Sequence, residues 1–296
     1  MNLQFKSVAS PYCFLEAPRS DGGVLWFADL LLGGLYRLSP GGEIQVFLKD
    51  SKHIGGVVIN EDGAIICGGS SGLSWIYPET GKSGTLLNSV NGQPLPGAND
   101  MCPDGKGGLY FGTLSHAGEY GKPPSLTALY RITADGQVAL LRDGLKFSNG
   151  IGLSPDGRRL YHNESLLGTF VYDVLPDGSI ENRAVFSSKE DCDGLTVDSE
   201  GAVWIAYFAT GELIRYRPDG SIDRHVPVPH KAVTSACFGG ADNRDLYVTT
   251  AGNEGIDALL KGINPPREAS VFHARVEVAG LPVPRTRFRL DSKSGG

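Results

Sequence analysis

The stretch Asp156-Gly157-Arg158-Arg159-Leu160-Tyr161-His162 sets a turn dipeptide just before a short aromatic-apolar strand, and the same phrase returns along the chain. Asp-Gly supplies the positive φ that a tight hairpin needs. Asp62-Gly63 and Asp104-Gly105 stand before the equivalent strands Ala64-Ile65-Ile66-Cys67 and Gly108-Leu109-Tyr110-Phe111. Val24-Leu25-Trp26-Phe27, Ala202-Val203-Trp204-Ile205 and Asp245-Leu246-Tyr247-Val248 complete a set of six, and successive third residues lie 40, 44, 51, 43 and 43 positions apart. Asp135-Gly136, Asp177-Gly178 and Asp219-Gly220 close further strands, such as Leu213-Ile214-Arg215-Tyr216, that alternate apolar and polar residues as half-buried strands do. Six units of about 40 residues with four strands each predict an all-β, six-bladed β-propeller. Residues 1–290 are expected to form this one domain, with residues 291–296 a disordered polar tail. The strand-like Leu3-Gln4-Phe5-Lys6-Ser7-Val8 belongs to no complete unit. It is expected to pair beside residues 271–278, closing the ring and removing the exposed edges. Residues 257–261 read as one short helical turn.

Composition narrows the function. The chain has 296 residues, 27 Lys+Arg against 33 Asp+Glu and a formal charge of −6; 41% of it is apolar and 20% charged, an ordinary globular balance. The 41 glycines follow no Gly-X-Y period, which excludes collagen. The mild acidity argues against a nucleic-acid partner. The longest apolar run, residues 24–35, is broken by Asp29 and two glycines, too short to span a membrane. No basic start leads into an apolar core at the N-terminus, so a cytoplasmic location is expected and the sequon Asn163-Glu164-Ser165 carries no weight. Five cysteines, at 13, 67, 102, 192 and 237, show no metal-ligand spacing and read as buried free thiols.

One phase of the repeat carries chemistry. Ten to twelve residues before each aromatic-strand marker stand Glu16, Gly56, Asn99, Asn149, Asp193 and Ser235. Equivalent positions in a propeller are related by rotation about its axis, so these residues are expected to meet at the channel mouth. Asn149 and Asp193 each precede a glycine, and either dipeptide alone would be read as a turn. Four oxygen-bearing side chains in one phase point instead to a hard-cation site: one divalent ion held by Glu16, Asn99, Asn149 and Asp193. Two carboxylates and two amides suit Ca²⁺, Mg²⁺ or Mn²⁺, with Zn²⁺ or Fe²⁺ also accommodated.

At these residues the chain resembles the senescence marker protein / gluconolactonase / luciferin-regenerating enzyme family. The matching segments are Phe14-Leu15-Glu16-Ala17-Pro18, Asn99-Asp100, Ser148-Asn149-Gly150, Asp193-Gly194-Leu195-Thr196-Val197-Asp198, Thr234-Ser235-Ala236-Cys237-Phe238-Gly239-Gly240 and Leu246-Tyr247-Val248-Thr249-Thr250-Ala251. The resemblance implies a six-bladed propeller with one catalytic divalent metal. It implies ligands Glu16, Asn149 and Asp193, with Asn99 as ligand or substrate contact. It also implies lactonase activity or, in a related branch, organophosphate hydrolysis. Three departures stand out. Gly97 occupies the place of an arginine common in the sugar lactonases, Cys192 precedes Asp193 where proline is usual, and His162-Asn163-Glu164-Ser165 replaces a small-residue/Asp segment.

The expected activity is opening of a cyclic ester, a small-molecule lactone. The metal polarises the carbonyl and Asp193 serves as general base toward water. Asn99, Asp100, His116, Glu119 and His230 are the expected substrate contacts. His116, Glu119 and Tyr120 fall in an insertion, residues 115–125, that reads as a lid; His162 reads as a core histidine. Gly68-Gly69-Ser70-Ser71-Gly72 matches the Gly-x-Ser-x-Gly nucleophile pattern but is followed by a strand, Leu73-Ser74-Trp75-Ile76-Tyr77, where that motif needs a helix. Phosphotriester hydrolysis in the same site, and a non-enzymatic calcium-binding scaffold, are the rival readings.

Overall fold

The computed structural model describes residues 3–115, 125–263 and 265–290. Six four-stranded antiparallel sheets form its frame. The first strand, β1 (Lys6–Tyr12), is set aside for the last sheet. Blade 1 is β2 (Leu15–Asp21), β3 (Val24–Asp29), β4 (Leu35–Leu38) and β5 (Ile44–Phe47). Blade 2 is β6 (Gly56–Ile59), β7 (Ile65–Gly69), β8 (Gly72–Ile76) and β9 (Ser83–Leu87); a two-stranded ribbon, β10 (Ser89–Val90) and β11 (Gln93–Pro94), leads out of it. Blade 3 is β12 (Ala98–Pro103), β13 (Leu109–Thr113), β14 (Thr127–Ile132) and β15 (Val138–Leu145). Blade 4 is β16 (Ser148–Leu153), β17 (Arg159–Glu164), β18 (Gly168–Val174) and β19 (Ile180–Ser187). Blade 5 is β20 (Cys192–Val197), β21 (Val203–Tyr207), β22 (Glu212–Tyr216) and β23 (Ile222–Pro227). Blade 6 is β24 (Val233–Gly239), β25 (Asp245–Thr250), β26 (Ala269–Arg275) and β1, so the molecule is a six-bladed β-propeller.

The ring closes as expected, by antiparallel pairing of the first strand with the last, but the paired stretch is shifted: it starts at Lys6, overlapping the expected segment, and runs on to Tyr12. Lys6 faces His273 and Tyr12 faces Ala269. Leu3 and Phe5 lie before the strand and pack on the blade 6 core, the Phe5 ring 6.4 Å from that of Phe272. Apolar anchoring of these two residues moves the paired segment toward β2. The expected turn near residue 257 is a six-residue helix, α1 (Gly255–Leu260), between β25 and β26.

Burial falls from the axis outward. Every residue of β24 and of β6 is buried, whereas β19 and β5 are mostly open to solvent. Large side chains from facing blades fill the wedges between sheets. Trp75, Phe111 and Leu73 meet between blades 2 and 3, and Tyr161, Tyr207 and Tyr216 meet between blades 4 and 5. Turns from the first to the second strand are held by a repeated device. Asp198 Oδ1 accepts from the amides of Glu200 and Ala202, while its Oδ2 accepts from Arg215 Nε at 2.8 Å and Trp204 Nε1 at 2.9 Å. Asp104 does the same in blade 3 with the amides of Lys106 and Gly108 and with Arg131.

After β26 the chain crosses the face that carries these turns. Residues 276–290 touch blade after blade: Leu281 N donates to Val197 O, Arg285 pairs with Asp21 at 2.7 Å, Thr286 N donates to Ile59 O and Arg287 N to Gly107 O. Asn60 clasps this strap, its Nδ2 donating to Phe288 O at 3.0 Å and its Oδ1 accepting from Phe288 N and Thr286 Oγ1. Pro282, Val283 and Pro284 thereby floor a central cavity of ≈ 80 Å³. The channel is closed on this side, and the face where the innermost strands begin is its mouth.

Candidate active site

The four oxygen-bearing residues of the repeat phase sit at the mouth, each second in its innermost strand: Glu16 in β2, Asn99 in β12, Asn149 in β16 and Asp193 in β20. What aims them is a β-bulge. Between Glu16 and Arg19, β2 spans one residue more than its partner does from Ala28 to Trp26. The same surplus residue separates Ala98 from Met101, Ser148 from Ile151, Cys192 from Leu195 and Val233 from Ser235. A bulge interrupts the strict in-out alternation and re-aims a side chain. Ala17, inside the first bulge, adopts φ +56°, a left-handed conformation unusual for a residue with a Cβ. Only blade 2 keeps regular register, Gly56 facing Gly68 and Val57 facing Cys67. Its phase residue is Gly56, where a Cβ would come within 2.3 Å of Asn99 O.

Hydrogen bonds tie the phase together across blades. Asn99 Nδ2 donates to Asn149 Oδ1 at 2.7 Å and to Ser148 O at 3.1 Å. Asn149 Nδ2 donates to Ser165 Oγ, which donates to Cys192 O at 2.6 Å. The Asn149 carbonyl oxygen thus faces Asn99 of blade 3 and keeps a second lone pair. Asn163 Nδ2 donates to the main-chain oxygen of Asp193 at 2.6 Å. Asn163 and Ser165 come from the segment that departs from the family pattern, and they hold two of the expected ligands in place.

Electrostatics marks the centre of the site. Glu16 and Asp193 are 6% and 8% exposed. Burial raises the Glu16 carboxyl well above the ordinary range, and the charges of Asp193 and Asp100 raise it further, against a weaker lowering by its hydrogen bond from Ala17 N. Burial likewise raises Asp193, with Asp100 and Asp191 adding repulsion. Asp100 is pushed up to about 7 by burial, moderated by the Arg19 guanidinium. Arg19 itself reaches across the channel, Nε donating to Val57 O and Nη2 to Met101 O. Among the described residues no cationic side chain lowers Glu16 or Asp193. Like carboxylates buried together without a counter-charge must share protons or hold a cation. No three His, Cys, Asp or Glu side chains among the described residues gather closely enough to hold an ion by themselves. Two carboxylates with the Asn149 amide oxygen beside them are donors of the chemistry a hard divalent ion takes, whereas the Asn99 side-chain oxygen lies against Gly55.

The other expected site residues divide. Asp100 adjoins the carboxylates. His230 turns into blade 6, with Nδ1 2.9 Å from Thr250 Oγ1 and its ring edge-on to Phe272 at 4.8 Å. His116 and Glu119, with Tyr120, lie outside the described residues. His162 is a core histidine: fully buried, Nε2 2.7 Å from Ser148 Oγ, and lowered to about 3 by burial and then by Arg183. Ser70 and Ser71 form the two-residue loop between β7 and β8, so the Gly-x-Ser-x-Gly match is a blade hairpin. Sequence reasoning missed Arg19, which carries no signal beyond lying three residues after Glu16, and the ring pair Phe14–Phe208, stacked 5.7 Å apart across blades 1 and 5.

A propeller whose mouth gathers buried carboxylates and amides defines the class. Residues 14–252 match the model of the SMP-30/Gluconolactonase/LRE-like region, and the chain belongs to that family. Among its relatives, the pentonolactonase XacC of Haloferax volcanii is 30% identical over 290 residues, covering 92% of this chain and 91% of that one. The 6-deoxy-6-sulfogluconolactonase of Pseudomonas putida is 29% identical, covering 88% and 90%. In fold, the chain is similar to a calcium-binding protein, regucalcin, from Agrobacterium tumefaciens, with a TM-score of 0.83, 24% identity and coverage of 97% and 99%.

Proposed function

We propose that this protein hydrolyses a lactone with the help of one divalent cation held by Glu16, Asn149 and Asp193, with Asn99 beside them. The observation that carries this reading is the pair of buried carboxylates at the channel mouth, in the same strand phase as the hydrogen-bonded Asn99 and Asn149 and free of cationic partners among the described residues. The family and the lactonase names of its relatives support the same chemistry. The chemistry such an ion supplies is Lewis-acid polarisation of the ester carbonyl.

The chain's own residues do the rest. Asp193, ionised, takes a proton from the attacking water, whose oxygen bonds to the carbonyl carbon. The ring C–O bond then breaks and the proton passes to the leaving alkoxide, giving a hydroxy acid. Asn163 keeps Asp193 in register by holding its main-chain oxygen. Asn99 fixes the Asn149 amide, and Asp100, beside Arg19, lines the central cavity. The described cysteines are free thiols, which supports a reducing, cytoplasmic setting. No helix among the described residues is long and apolar enough to cross a membrane.

The deciding experiment strips metal by chelation and assays a lactone panel after adding back Ca²⁺, Mg²⁺, Mn²⁺, Zn²⁺ or Fe²⁺ singly. Hydrolysis restored by one or more ions is expected. A protein that binds an ion yet opens no lactone is a binding scaffold, and one that cleaves only phosphotriesters is the organophosphate branch.

A further inference from the structure

We infer that Ser165 is a positioning residue of the proposed ion site: its hydroxyl fixes the orientation of the Asn149 amide and ties it to the strand that carries Asp193. This rests on the divalent-ion part of the lactonase reading above.

The polarity of the bonds through Ser165 is set at both ends. Ser165 Oγ lies 2.6 Å from Cys192 O, a main-chain oxygen that can only accept, so the single hydroxyl hydrogen is committed there. Toward Asn149, 2.8 Å away, the same oxygen can then only accept, and the atom that Asn149 presents to it is Nδ2. The other end gives the same answer. Asn99 Nδ2 donates to Ser148 O, again an acceptor only, and also to Asn149 Oδ1 at 2.7 Å. The bonds run in one direction from blade 3 through blade 4 to blade 5. They leave the Asn149 oxygen with a free lone pair as the donor atom for an ion.

The main chain of Ser165 makes the same bridge. Its N–H donates to Phe147 O at 3.0 Å, and its carbonyl accepts from Asp191 N at 2.7 Å. Phe147 stands two residues before Asn149, and Asp191 two before Asp193. Both hold left-handed backbone, with φ +69° and +67°, which residues with a Cβ seldom adopt. Such conformations persist where their surroundings over-determine them. Ser165 therefore bonds to the approach of both ligands, and its side chain adds the link from the Asn149 amide to Cys192, next to Asp193. Loss of a partner that orients a metal ligand weakens ion affinity about 10–100-fold.

The test strips the full-length protein by chelation and titrates it by calorimetry with Ca²⁺, Mg²⁺, Mn²⁺ or Zn²⁺ singly. Ser165→Ala should weaken binding about 10–100-fold. Ser165→Thr, which keeps the hydroxyl, should stay within threefold of wild type. Asn60→Ala, which loses the clasp on the strap at the closed face, should lower the melting temperature in chelator and leave ion affinity within twofold. Excess ion should restore most of the lactone hydrolysis that Ser165→Ala loses at limiting ion. Should Ser165→Ala fail to fold, Ser165→Cys, with a weaker donor in the same place, should still lose affinity severalfold. Unchanged affinity in the folded variant, or a loss that Asn60→Ala shares in equal measure, overturns this inference and leaves the lactonase reading intact. A wild-type protein that binds none of the ions overturns both.

Discussion

Asn163 donates its side-chain amide to the main-chain oxygen of Asp193, 2.6 Å away and thirty residues along the chain, and accepts from Thr169 Oγ1 at 2.7 Å. Both residues are buried, Asn163 completely, so β17 of blade 4 sets where the bulged residue of blade 5 lies. Asn163→Ala leaves a buried carbonyl and hydroxyl without partners. Stability should fall by about 1–3 kcal/mol. kcat should drop more than tenfold, because Asp193 loses the bond that holds its main chain; denaturant titration and steady-state kinetics check the two halves.

Asp193 carries the proton in the proposed reaction. Asp193→Ala should reduce kcat by about 10²–10⁴-fold, the usual worth of a general base, and weaken divalent-ion binding by calorimetry. Full activity with the ion still bound would remove Asp193 from the mechanism.

The crowding of Glu16, Asp100 and Asp193 makes metal-free stability depend on pH with a definite sign. Groups whose carboxyl pKa is raised on folding bind protons more tightly in the folded chain. Stability therefore falls as pH rises from the ordinary carboxylate range through the raised values. The lowered histidines His53, His162 and His230 act in the opposite sense, and their effect is complete above the usual histidine value of 6.5. Between pH 6.5 and 7.5 the carboxylates remain, with Asp100 at about 7. Melting in chelator should fall across that window, added divalent ion should abolish the fall, and Glu16→Gln should flatten it while losing the response to ion.

Arg215 lies at the closed face, its guanidinium bonded to Asp198, Glu200 and Asp223. Asp198 is fully buried and also holds Trp204 Nε1. Arg215→Met strands that buried charge and should cost about 3–5 kcal/mol in denaturant titration. The neighbouring aromatic wedge should survive, with little effect on catalysis in the fraction that folds.

Ser70 tests the decoy. It occupies a two-residue hairpin loop between β7 and β8, where the nucleophile motif needs a strand-to-helix turn. Ser70→Ala should retain hydrolysis within twofold, measured beside Asp193→Ala on the same lactone.

Much of this architecture is legible in the chain because it is periodic. The Trp26, Tyr110, Tyr161 and Trp204 strands recur at blade length, and counting back from them lands on Glu16, Asn99, Asn149 and Asp193; of these, Asn99 and Asn149 are hydrogen-bonded and the charge of Asp193 reaches Glu16. The bulges that aim them are not legible. A surplus residue in a strand looks like any other until its partner strand is known. Arg19, Phe208 and Asn163 owe their place at the mouth to contacts between blades, which a pattern read within one repeat does not contain. The strap was hidden for the complementary reason: residues 276–290 have neither strand alternation nor helical spacing, and they gain their order only from Asn60 and the turns beneath them.

The seam in blade 6 has a consequence for how the molecule comes into being. Lys6 cannot meet His273 until nearly the whole polypeptide has left the ribosome. Earlier blades can collapse on their neighbours as they emerge, but the opening strand waits unpaired through most of synthesis. Contacts so remote in sequence are slow to form. The ring should therefore finish folding after translation rather than during it, and a nascent chain arrested before residue 269 should stay open, with its first strand accessible to protease.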